Sequence, residues 1–250
     1  MRCAYSSNVG MRRQINQDSY VAANFEKDGR VCYLFAVADG LGGHPHGEVA
    51  SRLATEYIKQ NISMVHDLKD YGDINDFVND INRRIINEGI ALGDAKGMAT
   101  TLTMCVVDDQ ELSISHVGDS RAYRITQNGI ERLTKDHSLV QKLVDEGKLD
   151  SAMARLHPHK NVITRALGTD SVVRTDFFEY TMDPGDLFLV CSDGLYNMVS
   201  EGLIAELVRM NTMEEAVKIL VDLANQNGGT DNITVIIFGQ DQPKPVLNHL

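Results

Sequence analysis

Two stretches far apart in the chain end alike. Residues 34–41 read LFAVADGL and residues 187–195 read LFLVCSDGL, each an apolar run followed at once by Asp-Gly-Leu. Such a design thrusts a short carboxylate, Asp39 or Asp193, from a rigid strand end, and the glycine permits a sharp exit. Three further aspartates occupy comparable places. Asp231 stands in GGTDN just before the apolar run 233–238, Asp119 in HVGDSR between two β-like segments, and Asp18 in RQINQD. Each has a plainer alternative as a turn former or helix cap, since Asp-Gly is a common turn. If the five met, they would repel one another unless a cation neutralised them. Oxygen ligands without flanking His or Cys suit Mg²⁺ or Mn²⁺ rather than Zn²⁺.

The elements that must position these groups are legible in outline. Short, β-branched runs bounded by Gly, Asp or Asn predict strands over 31–38, 99–107, 111–117, 122–125, 174–180, 186–191 and 232–238. Helices are expected over 47–63, 74–92, 139–146, 204–210 and 214–225. The second of these places Ile74, Phe77, Val78, Ile81, Ile85 and Ile86 on one face, with Asp73 as its N-cap. Helices come in pairs between runs of strands, a pattern that favours an α+β fold of sheets packed on each other with helices outside. No linker or low-complexity tract interrupts residues 1–239, which read as one domain. The polar stretch 240–250, with two prolines, reads as a tail.

Composition sets limits on function. The 250 residues carry 35 acidic and 24 basic side chains, a net charge of −11, which argues against non-specific nucleic-acid binding. The absence of Trp removes the usual stacking platform for bases or sugars. Cys3, Cys32, Cys105 and Cys191 form no CxxC pair, and three lie in apolar β-like runs, as expected of free thiols in a reducing compartment. No apolar stretch is long enough to span a bilayer, and the N-terminus lacks a signal core. The expected address is cytoplasmic, without a membrane partner, and the expected state is a monomer.

Taken in order, the motifs resemble a known family. RxxNQD (13–18), VADGLGGH (37–44), GMATT (97–101), VGDSR (117–121), NVITRALG (161–168), CSDGL (191–195) and GTDNIT (229–234) follow the sequence of motifs in the metal-dependent (PPM-type, or type 2C) protein phosphatases, most closely the compact bacterial members. The likeness covers residues 5–238. Each motif alone is weak, but the ordered set is specific. The resemblance implies a four-layer α-β-β-α sandwich, with two central antiparallel sheets flanked by helix pairs, and a centre of two Mn²⁺ or Mg²⁺ ions. Asp39 would bridge both ions and the Gly40 carbonyl would add a ligand. Asp193 and Asp231 resemble ligands of the other ion, Asp18 resembles a residue acting through water, and Asp119 matches the position that holds a third, weaker cation. Gln17 departs from the Glu common at its position and cannot bring a charge.

The resemblance also implies hydrolysis of phosphoserine and phosphothreonine in proteins, opposing a Ser/Thr kinase. A phosphate monoester resists attack because its oxygens are anionic and its leaving group poor. A two-metal site answers both by lowering the pKa of a bridging water and offsetting charge. No cysteine has an Arg six residues downstream, so the arrangement of cysteine-based phosphatases is missing. Arg13 is the candidate for gripping the phosphate, with Arg12 beside it as a reminder of how common surface arginines are. His44 is the candidate general acid and His46 its rival. Residues 136–165 resemble the flap beside the cleft in bacterial members, where they would help select substrates, and equally suit an ordinary exposed connection. Two other readings compete: a catalytically dead family member acting as a binding module, disfavoured by the presence of Asp39, Asp193 and Asp231, and a metal-dependent nuclease, disfavoured by the charge.

Overall fold

The apolar runs have no polar face because both sides of their strands are covered. The computed structural model describes residues 1–42, 46–93, 97–154 and 157–240, and in it ten strands form two antiparallel five-stranded sheets. They are β1 (Arg2–Asn8), β2 (Asp18–Lys27), β3 (Arg30–Asp39), β4 (Leu102–Asp108), β5 (Glu111–Val117), β6 (Arg121–Thr126), β7 (Gly129–Arg132), β8 (Asp176–Thr181), β9 (Leu187–Cys191) and β10 (Ile233–Gly239). One sheet runs β1-β10-β9-β6-β7 and the other β2-β3-β4-β5-β8. The helices are α1 (Gly47–Asn61), α2 (Tyr71–Ala91), α3 (Leu139–Asp145), α4 (Ser151–Ala154), α5 (Asp193–Tyr196), α6 (Glu201–Met210) and α7 (Met213–Gln226).

Strand alternation divides the core into three layers. On β3, Leu34 and Ala36 face α1 and α2 with Ile58, Ile81 and Ile85, whereas Phe35 and Val37 face the other sheet. On β10, Ile233, Val235 and Ile237 pack against α6 and α7, and Ile236 and Phe238 turn inward between the sheets. There Phe35 stacks on Phe238 with ring centroids 4.1 Å apart. The result is the expected four-layer α-β-β-α sandwich.

Several boundaries differ from expectation. β1, β2 and β7 come from polar stretches: β1 buries only Ala4 and β2 only Val21, so their alternation is faint. Turn chemistry marks two of them instead. Asp28 and Gly29, both at positive φ, close the β2–β3 hairpin, and Asn128-Gly129 leads into β7, as favoured in tight hairpins. The strand expected from Ala99 starts at Leu102, because Thr100 makes single bridges to Gly40 and Leu167. Asp73 is not the cap of α2. The helix starts at Tyr71, and Asp70 caps it by accepting from the Asp73 N–H at 2.9 Å. Asp73 instead accepts from the Asp67 N–H. Cys32, Cys105 and Cys191 are buried free thiols and Cys3 is exposed. Among the described residues no helix is long and apolar enough to cross a membrane. Of the expected tail, 241–250 lie outside the described residues.

Candidate metal centre

Strand register brings the aspartates of the two sheets together. Asp18, opening β2, is the direct cross-strand partner of Asp39, closing β3. In the facing sheet, β9 and β10 pair through Val235↔Cys191, which puts Asp193, just past β9, and Asp231, just before β10, at the same end. Ser192 joins the sheets: its hydroxyl donates to Asp18 Oδ2 at 2.7 Å and accepts from the Thr234 N–H at 3.0 Å. The two Asp-Gly exits are sterically compulsory. A Cβ on Gly40 would lie 2.3 Å from the Gly47 carbonyl oxygen, and one on Gly194 would lie 2.0 Å from that of Asn232.

The carboxyls at this end of the sandwich act on one another's charge. Burial, followed by repulsion from Asp18, Asp193, Asp119 and Asp231, holds the Asp39 carboxyl well above the usual range. Asp193 is raised by burial, then by Asp119, Asp231 and Asp18. Burial pushes Asp18 up to about 6 against the opposing Ser192 hydrogen bond, and burial with Asp136 pushes Asp119 up to about 7. Asp18 Oδ1, Asp119 Oδ1 and Asp193 Oδ1 are buried and lack a hydrogen-bond partner among the described residues. Buried polar atoms normally find partners, and crowded carboxylates are what a hard divalent cation satisfies. The donor set therefore fits Mn²⁺ or Mg²⁺. As the side chains lie, no three His, Cys, Asp or Glu groups among the described residues are gathered closely enough to hold a metal ion. One carboxylate is already taken, since Arg13 Nη2 donates to Asp231 Oδ2 at 2.8 Å.

Arg13 thus reaches the hollow, in an ion pair that leaves its side chain 38% exposed. Its guanidinium also lies where a side chain on Gly42 would project, 2.6 Å from that Cβ position. His44 lies outside the described residues. His46 sits at the start of α1 with φ 58°, its Nδ1 3.9 Å from Glu48 Oε1. The Gln17 main chain is tied in twice, its N–H donating to Asn232 Oδ1 and its carbonyl accepting from the Gly40 N–H, while its side-chain amide donates to Glu48 Oε2 at 3.4 Å. A change from Glu to Gln leaves both main-chain bonds in place.

Reading the sequence missed the residues that brace these aspartates. Asn232 donates to the Val9 and Ile15 carbonyls, and Asn197 donates to Asp193 Oδ2 at 3.1 Å. Arg121 holds Asp136 with both Nε and Nη2, and its guanidinium lies 3.6 Å from the centroid of the Tyr196 ring. Ser192, Asn232 and Arg121 all lie inside quoted motifs, which was the available signal. Beside Asp119 and Asp193 opens a cavity of about 540 Å³, walled by α3, Arg132, Lys160 and Met198.

The sequence profile described as Protein phosphatase 2C matches residues 11–226. The chain belongs to the protein phosphatase 2C family. It is a protein phosphatase, a hydrolase, in the serine/threonine class that its relatives' names carry. The serine/threonine phosphatase stp of Listeria monocytogenes is 34% identical over 247 residues, covering 96% of each chain. Stp1 of Staphylococcus aureus, a crystal structure, superposes with a TM-score of 0.88 at 32% identity, over 96% of this chain and 94% of that one. The catalytic domain of the serine/threonine protein phosphatase PstP, solved with two manganese ions, superposes with a TM-score of 0.81 at 34% identity, over 94% and 96%. These superpositions agree with the four layers of the sandwich.

Proposed function

We propose that this 2C-family phosphatase hydrolyses phosphoserine and phosphothreonine in proteins at a centre of two Mn²⁺ or Mg²⁺ ions, reversing a Ser/Thr kinase of the same cell. The observation that carries this reading is strand register: Asp18 pairs directly with Asp39, and β9–β10 pairing brings Asp193 and Asp231 to the same end. Asp39, the Gly40 carbonyl, Asp193 and Asp231 would hold the pair, with Asp18 acting through water and Asp119 serving a third, weaker ion. When bound, the pair supplies a water of lowered pKa and screens the phosphoryl charge.

The chain's own residues do the remaining work. Ser192 and Asn197 keep Asp18 and Asp193 aimed at the hollow by donating to one oxygen of each. Arg13 grips the phosphate with a planar fork that matches its oxygens, and exchanges its present partner Asp231 for the substrate. His44 protonates the leaving oxygen. The segment 136–165 selects substrates, since α3 and Lys160 wall the cavity beside Asp119 and Asp193. Residues 1–239 act as one catalytic domain, as a cytoplasmic monomer.

The test is Mn²⁺-dependent phosphate release from p-nitrophenyl phosphate and from a phosphothreonine peptide. Asp39→Asn and Asp193→Asn should each abolish turnover while keeping the circular dichroism of the wild type. Full activity in either variant refutes the assignment.

A further inference from the structure

The turn that carries Asp119 is gripped from three sides. On the first, Gly118 has φ 111° and a Cβ there would meet the Thr101 side chain at 2.6 Å, while Thr101 Oγ1 lies 2.8 Å from the Ser120 hydroxyl. On the second, the Tyr196 hydroxyl donates to the Asp119 carbonyl at 3.0 Å. The third grip comes from His137, only 8% exposed. Its N–H donates to the Gly118 carbonyl at 2.7 Å, and the Gly118 N–H donates to its ring Nδ1 at 3.0 Å.

Because Nδ1 accepts, a neutral imidazole carries its proton on Nε2. Nε2 lies 3.1 Å from Asp176 Oδ2, and Arg165 Nη1 donates to the other oxygen of Asp176 at 2.6 Å. The His137 carbonyl accepts from the Thr164 N–H at 2.8 Å, and the Leu139 N–H donates to the Val162 carbonyl at 2.8 Å. Both roots of the segment 136–165 therefore meet at the one residue whose ring also holds the backbone of the Asp119 turn.

We propose that His137 is a positioning residue: its unprotonated Nδ1 ties the roots of the 136–165 segment to the Asp119 turn, so that the Asp119 carboxylate and the segment bordering the cavity are placed together. The inference rests on the reading of Asp119 as a cation-holding acid. The main-chain bond from residue 137 to Gly118 would survive most substitutions, whereas the ring nitrogen is specific to the side chain. A side-chain exchange therefore isolates its contribution.

His137→Asn puts an amide oxygen where Nδ1 stands and keeps the acceptor. His137→Gln sends a nitrogen toward the Nε2 position and leaves the buried Gly118 N–H unpaired. The Asn variant should keep kcat on p-nitrophenyl phosphate within about threefold, and the Gln variant should lose about tenfold to a hundredfold in kcat, with KM little changed. Independently of turnover, electron paramagnetic resonance at saturating added Mn²⁺ should count fewer bound ions in the Gln variant alone. Trypsin should cleave the exposed Lys142 and Lys148 faster in that variant. Asp176→Asn, which leaves Nδ1 untouched, should resemble the Asn variant in ion count and cleavage.

Equal behaviour of the Asn and Gln variants overturns the proposal, as does a Gln defect that merely follows its melting temperature. A Gln-like Asp176→Asn would move the tie to Nε2 and overturn it too. If the wild type showed no Mn²⁺-dependent phosphatase activity, the proposed function would fail, while ion counts and trypsin patterns would still judge His137.

Discussion

Replacing Asp119 by Asn should make the cation-free protein more stable at pH 8. Burial, followed by repulsion from Asp136, lifts this carboxyl from 3.8 to about 7. At about 1.36 kcal/mol per unit, holding it ionised in the folded state costs about 4 kcal/mol. Asparagine removes the charge but leaves a buried amide where Asp119 Oδ1 already lacks a partner, at a cost of about 1–3 kcal/mol. The net gain at pH 8 is about 2 kcal/mol, or about 4–8 °C in Tm for a domain of this size. The sign follows from linkage. With its pKa raised by folding, Asp119 binds more protons folded than unfolded between about pH 4 and 7, so wild-type stability falls as pH rises through that window. The variant should therefore start at a deficit near pH 4 and overtake the wild type by pH 8. His116 works oppositely, because burial lowers it from 6.5 to about 3 and it costs stability as pH falls below about 6.5. Both proteins share that contribution, so it drops out of the difference, which reports Asp119 together with the repulsion it exerts on Asp39 and Asp193. Calorimetry of chelator-treated proteins from pH 4 to 8 measures it, and a variant no more stable at pH 8, or a difference that ignores pH, refutes the reasoning.

Mn²⁺ added at pH 8 should raise the wild-type Tm in a concentration-dependent way by binding only the folded state, and an unchanged Tm would count against the cation reading. Arg13→Ala should raise KM for a phosphopeptide about tenfold or more by removing a charged hydrogen bond, as steady-state kinetics would show. Gly194→Ala drives a Cβ to within 2.0 Å of a backbone oxygen and should cost about 1–3 kcal/mol. The control Gly202→Ala, in α6 with open space around it, should be neutral or stabilising by up to about 1 kcal/mol, both read by urea denaturation. Phe35→Ala, which empties the stacked centre between the sheets, should cost about 3–5 kcal/mol on the same assay.

Much of this molecule is legible in its sequence, and the limits have physical causes. β3, β4, β9 and β10 announce themselves because both of their faces are buried, and α2 because its isoleucines repeat at helical spacing. β1 and β2 stay hidden, since each buries a single apolar residue and their place is set by partners rather than by their own pattern. The twin Asp-Gly-Leu exits pointed to Asp39 and Asp193, and steric contact at Gly40 and Gly194 explains why glycine must follow each. The motifs contained Ser192 and Asn232, but no local pattern could reveal what they brace. Ser192 reaching Asp18 across 174 residues, or Asn232 holding the loop at Val9 and Ile15, depends on strands pairing first. The Arg13–Asp231 ion pair was equally out of reach, because two candidates of opposite charge were each assigned to another partner.

The position of β10 has a consequence for how the molecule comes into being. This strand lies between β1 and β9, so the earliest of the described strands pairs with the latest, Arg2 opposite Gly239. At a synthesis rate of about 5–20 residues per second, β1 waits roughly 10–50 s for its neighbour. Until then one sheet is split, and Asp231, which precedes β10, has not arrived. A chain that has not yet emitted β10 can gather the hairpins of the other sheet but still lacks Asp231, so the five aspartates come together only when this strand slots in between its two neighbours.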